Sequence, residues 1–243
     1  MLNWSKTFTL CFALLALSGF AMAQNATVYV VHGIPGADLE AVLGVDLDPA
    51  LPVDITVNGA CALEGFTFGT IAGPLSLPAG SYDIAIKPAN TATPCSEANL
   101  LTATAPVVAG MNYSIVAHLT ATGAPTITPF VNDVSRTGGA ARVIAHHTAN
   151  APAVDITIAR NESTRSPRGS ATLEGVTNGA QASPVFQPGN WQLTVAAAGG
   201  SPVVVDKAPL QFRPFKAYLV YAVGSLANNT FELLLKELDT ARR

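Results

Sequence analysis

The chain has 243 residues, 49% of them hydrophobic and only 12% charged, with a formal net charge of −3. That is roughly half the charged share of an ordinary soluble domain, and such a mixed, sparse charge excludes a nucleic-acid footprint. Gly (20) and Pro (17) are plentiful and aromatics few, which favours short strands and tight turns over long amphipathic helices.

Lys6 supplies a positive n-region, Phe8 to Leu17 an apolar run, and Ala21-Met22-Ala23 a small-x-small pattern before a cut at Gln24. Residues 1–23 therefore read as a secretory signal peptide. The run is shorter than the ~20 residues a bilayer needs, and no later stretch qualifies, so no membrane span is expected. Cleavage removes Cys11 and leaves Cys61 and Cys95. In an exported chain these are expected to form a disulfide, the alternative being two unpaired thiols. A 34-residue loop closed in this way adds roughly 3–4 kcal/mol in the chain-entropy view.

From Ala26 a β-branched run, Thr27 to His32, reads as a first strand, broken by Gly33-Ile34-Pro35-Gly36. A connection carrying Asp38, Glu40, Asp46 and Asp48 leads to Val53-Asp54-Ile55-Thr56-Val57. There apolar and polar residues alternate, and Asn58-Gly59 signals a tight turn. Strand candidates follow around Pro74 to Leu77, Tyr82 to Ile86, Leu100 to Val108, Tyr113 to Leu119 and Thr126 to Val131. Asn132 to Gly139 is polar and reads as a linker.

The plan then repeats. Val154-Asp155-Ile156-Thr157 returns the Val53 stretch, Val143-Ile144-Ala145-His146 pairs with Tyr29 to His32, and Leu173-Glu174-Gly175 pairs with Leu63-Glu64-Gly65. Trp191 falls on Tyr82, and Tyr218 to Ala222 on Tyr113 to Ala117. Ordered matches about a hundred residues apart indicate a tandem duplication. The expected fold is all-β: two tandem antiparallel β-sandwich domains, immunoglobulin- or transthyretin-like, at 24–135 and 136–243. Phe231 to Leu238 fits strand or helix.

His32 and Val53 lie 21 positions apart, against 8 for His146 and Val154, so the first half carries a 13-residue insertion. The second half has its own basic loop, Arg160 to Arg168. Residues 24–135 have a net charge of −8 and residues 136–243 one of +4. Two solvated faces account for this, or an attraction between halves, within one molecule or between molecules.

The order strand–His, Ala151-Pro152-Ala153-Val154-Asp155, then Leu77-Pro78-Ala79-Gly80-Ser81-Tyr82-Asp83-Ile84, then Ala109-Gly110-Met111-Asn112-Tyr113-Ser114-Ile115-Val116-Ala117 resembles the DUF4397 domain of exported bacterial proteins, present as two copies. The first copy departs by its insertion, the second by Gln187-Pro188-Gly189-Asn190 where the family has Leu-Pro-Ala-Gly. The resemblance implies export and a β-sandwich, and it supplies no catalytic residues.

The best site candidates are the pairs His32 with Asp54 and His146 with Asp155. Each is a metal-ligand or acid–base pair, or else a set of side chains that hold loop backbone in shape. Asp38, Glu40, Asp46 and Asp48 are calcium-type oxygen donors or a solvated loop. The chain has no His-Glu-x-x-His, Gly-x-Ser-x-Gly, Walker or dinucleotide pattern. Tyr82 and Trp191 read as core residues. The reading is a secreted, non-enzymatic binding, adhesion or envelope-matrix protein with no cofactor. It would meet a protein or glycan partner at the cell surface through the insertion, or associate with itself. The alternative is a secreted hydrolase or metal-dependent enzyme built on the His-Asp pairs.

Overall fold

The computed structural model describes residues 24–44, 46–160 and 170–240. The expected signal peptide, and all of the basic loop beyond Arg160, lie outside them. The first half runs β1 (Ala26–His32), α1 (Ala37–Leu43), β2 (Val53–Val57), β3 (Ala60–Phe66), β4 (Ile71–Leu77), β5 (Gly80–Pro88), β6 (Leu101–Val107), β7 (Asn112–Leu119) and β8 (Pro125–Val131). The second runs β9 (Ala141–His147), β10 (Val154–Arg160), β11 (Ser170–Val176), β12 (Gln181–Ala182), β13 (Val185–Phe186), β14 (Gly189–Ala197), β15 (Val203–Phe212), β16 (Lys216–Val223) and β17 (Glu232–Asp239).

These strands form four sheets in two corresponding sets. The orders β3-β2-β5-β6 and β4-β1-β7-β8 in the first half answer to β11-β10-β14-β15 and β12-β9-β16-β17 in the second, with β13 also pairing β9. Pairing is antiparallel except β1 with β7 and β9 with β16, which run parallel. Asn58 (φ 50) and Gly59 (φ 79) make the β2–β3 turn, both in the left-handed region that short hairpin loops require. The last element, open between strand and helix in sequence, is the strand β17.

Among the described residues three main apolar cores separate the four sheets, with a smaller cluster around Ala149, Ala151 and Ala222. One lies within the first sandwich, around Val28, Ile55, Ile84 and Ile115. A second lies within the other sandwich, around Val143, Ile156, Leu193 and Val220. The third joins the two sandwiches: Tyr29, Val31, Val116 and Phe130 pack against Ile144, Leu219, Tyr221 and Leu234. Alternation along β1 explains the sharing, because Val28 faces the first core and Tyr29 the third. The molecule is thus a four-layer stack whose two inner sheets are covered on both faces. Accordingly every residue of β7 is buried, whereas β3 is exposed or half-buried throughout.

Three local expectations change. The insertion is not a plain loop: it holds α1, and Ile34 and Leu39 around it plug the first core. Asn132, placed in the linker by its polarity, is 3% exposed and sits between the sandwiches. Strand β3, with its poor alternation and Gly65, carries a weak strand signal; it forms because the Asn58-Gly59 turn folds it back on β2.

Candidate functional site

The disulfide expected between Cys61 and Cys95 is present, with Cα atoms 5.7 Å apart. It ties β3 to the loop after β5, directly over Asp54. Asp54 is 1% exposed, and its carboxylate accepts the backbone N–H groups of Gly65 (2.9 Å), Asn90 (3.1 Å) and Cys95 (2.8 Å). Burial would raise its pKa, but the amides of Cys95, Gly65 and Asn90 outweigh this and hold it below the usual carboxylate value. Asp155 makes the equivalent clasp, accepting Gly175 N–H and Gly199 N–H, both at 2.8 Å. These hydrogen bonds, with that of Gly200, likewise lower its pKa.

His32 is also committed to backbone. Its Nε2–H donates to the carbonyl of Leu51 at 3.0 Å, and its Nδ1 accepts Ile34 N–H at 3.3 Å. Burial pushes its pKa down to about 4, only partly opposed by the Leu51 carbonyl. No hydrogen bond or ion pair between His32 and Asp54 is seen among the described residues.

In the second half the residue equivalent to His32 is His147. Val28 pairs with Tyr113 as Val143 pairs with Tyr218, and His32 pairs with Ala117 as His147 pairs with Ala222. His147 Nε2–H then donates to Pro152 O at 3.0 Å, two residues before β10, as His32 does two residues before β2. The sequence match of His146 with His32 is therefore one residue out, and the insertion is one residue longer than it suggested. A one-residue slip on a strand turns every side chain to the opposite face. His146 accordingly points into the joint between the sandwiches and away from Asp155.

That joint holds a buried polar network that the sequence did not reveal. Asn132 Nδ2 donates to Asn112 Oδ1 and to Ser114 Oγ, each at 2.8 Å. Asn132 Oδ1 accepts from His146 Nε2 at 3.1 Å, and Ser114 Oγ shares a hydrogen bond of 2.6 Å with Tyr221 OH. The His146 ring stacks on Tyr221 at 4.6 Å and meets Phe130 edge-on at 4.9 Å. Burial lowers the His146 pKa to about 4 and raises that of Tyr221. The only advance sign was the unbroken apolar run of β16, which marks a strand covered on both faces.

The four acids of the insertion part company. Asp38 is buried and crosses to the second sandwich, accepting Asn228 Nδ2 at 2.7 Å and Thr230 Oγ1 at 2.8 Å. Glu40 and Asp48 accept the local amides of Leu47 and Ala50, and Asp46 is exposed. Among the described residues, no group of three or more His, Cys, Asp or Glu converges to hold a metal ion.

The profile of the family described as a domain of unknown function, DUF4397, matches residues 26–157. The chain belongs to this family. The DUF4397 match begins at β1, spans the first sandwich and ends at Thr157 in β10. The sequence matches no curated protein. Similar solved structures include two provisionally designated cell adhesion proteins, from Bacteroides ovatus and Bacteroides uniformis. Both have a TM-score of 0.31, at 10% and 12% identity, with 90% and 89% of this chain and 99% of each of those covered. The Bacillus anthracis TIE protein matches at a TM-score of 0.25 and 9% identity, over 84% of this chain and 34% of its own. Likenesses this faint say nothing of ligand or activity. Among the described residues no helix is long and apolar enough to cross a membrane, and the disulfide is of a kind that persists in oxidising compartments.

Proposed function

We propose that this DUF4397 protein is secreted and acts outside the cytoplasm as a non-enzymatic binding or matrix protein, meeting a protein or glycan partner at the cell surface. The observation that carries this reading is how the titratable candidates are spent. Asp54, Asp155, His32 and His147 each hold backbone groups in place, so the residues best suited to chemistry serve to shape turns. We further propose that residues 136–243 are a second copy of the family unit. The equivalent sheet orders and Asp clasps support it. So do the ring tethers Tyr82 OH to Pro78 O (2.8 Å) and Trp191 Nε1 to Gln187 O (3.0 Å).

The test is binding of the labelled mature chain to cells of its own source and to an array of surface glycans, with a panel of ester, peptide and glycoside substrates beside it. Saturable binding without turnover is expected. Turnover abolished in both His32→Ala and His147→Ala, with folding intact, would overturn the proposal in favour of a hydrolase.

A further inference from the structure

The two sandwiches also differ in the space between their sheets. In the first, the space between its sheets opens beside the edges of β3 and β4 into an apolar cavity of about 290 Å³. Val28, Ile55, Leu63, Leu75, Leu77 and Tyr82 are among its walls. In the second, the corresponding edges β11 and β12 come into contact.

The side chains explain the difference position by position. Trp191 occupies the place of Tyr82, Phe186 that of Leu77 and Phe212 that of Val107, as the shared tethers and pairings show. Phe186 meets Trp191 edge-on at 4.9 Å and lies 5.4 Å from Phe212, so three rings fill the second sandwich here. Trp191 is 4% exposed, whereas Tyr82, held by the same hydrogen bond, stands half-exposed at the cavity rim. The first sandwich keeps the frame and lacks the rings.

We infer that this cavity is a binding site for a small planar aromatic molecule, which takes the place that Phe186 and Trp191 take in the second sandwich. An apolar cavity of roughly 150 Å³ stays dry and accepts benzene. Twice that volume suits a two-ring compound such as indole, which gains the burial that an empty apolar space forgoes. The half-exposed side chains of Leu63, Leu75 and Tyr82 give it an entrance from solvent. This site is independent of where the protein acts and of any surface partner.

The experiment titrates indole, and separately decanoate, into the mature chain, followed by methyl NMR shifts. Saturable shifts confined to the methyls of Val28, Ile55, Leu63, Leu75 and Leu77 are expected with indole. Leu77→Phe and Tyr82→Trp, which restore the rings of the second sandwich at two walls of the cavity, should each weaken indole at least tenfold and leave the fold intact. If one variant fails to fold, the other and the wild-type shift map decide. Absence of indole shifts at these methyls, unchanged affinity in the ring-filling variants, or binding of decanoate in place of indole would each overturn the inference.

Discussion

Lowering the pH from 7.5 to 4.5 should strip stability from this protein through its histidines. All four are buried, at 3% (His32), 1% (His118), 1% (His146) and 0% (His147) exposure. Burial lowers the pKa of each, to about 4 for His32 and His146. The geometry agrees: a proton on His32 Nδ1 would meet the N–H of Ile34, now its donor, and a charged His146 would have no carboxylate beside it in the network described. A folded pKa depressed from 6.5 leaves stability intact above the unfolded value and removes it as pH falls toward the folded one. For a folded value of about 4, each ring costs about 2 to 3 kcal/mol at pH 4.5, so His32 and His146 together cost on the order of 5 kcal/mol. The slope is up to about 3 kcal/mol per pH unit from these two, and His118 and His147 act in the same direction. Hydrogen bonds hold the carboxyls of Asp54, Asp133 and Asp155 below the usual carboxylate range, beneath this window. Denaturant unfolding at half-unit pH steps measures the slope, and His32→Gln and His146→Gln should each remove about half of the two-ring share. Stability constant between pH 7 and 4.5, or a slope untouched by both variants, would refute the reasoning.

Three further outcomes follow from named contacts. Asp54→Ala leaves three backbone amides without their acceptor and should cost about 3 kcal/mol or more by denaturant unfolding; a change below 1 kcal/mol would contradict the clasp. Asp38→Ala releases Asn228 and Thr230 and should cost about 1–2 kcal/mol, accompanied by faster amide exchange in α1. Gly224→Ala places a Cβ 2.2 Å from the carbonyl of Thr230 at a φ of +73. It should destabilise by at least ~2 kcal/mol, visible as a lower melting temperature, and loosen the β16–β17 loop that receives Asp38.

Much of the fold could be read from alternation and turn residues. Val53 to Val57 and Tyr82 to Ile86 alternate because they lie on outer sheets with one face on the apolar core, although Asp54 and Thr56 on the polar face of β2 are themselves covered, and Asn58-Gly59 needed nothing beyond the local chain to declare a turn. The cysteines were legible because removal of the expected signal peptide would leave only two of them. The joint between the sandwiches was hidden, since the apolar run Val143 to Ala145 of the inner strand β9 reads the same whichever partner covers its second face. That run is also why His146 was matched to His32: within Val143 to His147 every position is apolar or His, and only the β16 pairing sets the register. Asn132 misled for a related reason. A polar residue after a strand suggests a linker, and only its partners Asn112, Ser114 and His146, brought together from both halves, show why it is buried. The insertion was visible as extra length, but the direction of Asp38 depends on Asn228 and Thr230, some 190 residues away.

The third apolar core makes one body of what the sequence presents as two units, and a single fluorescence experiment addresses it. Of the two tryptophans, Trp4 lies in the expected signal peptide, so Trp191 reports the second sandwich alone in the mature chain. Val31 belongs to the first sandwich and is fully buried in the third core against residues of β9 and β16. Val31→Asp places a charge there without a partner among the core's apolar side chains, a change of several kcal/mol. Thermal unfolding followed by Trp191 emission should shift downward by many degrees, in step with the circular dichroism of the whole chain. A Trp191 transition unmoved by Val31→Asp would show that the two sandwiches are independent.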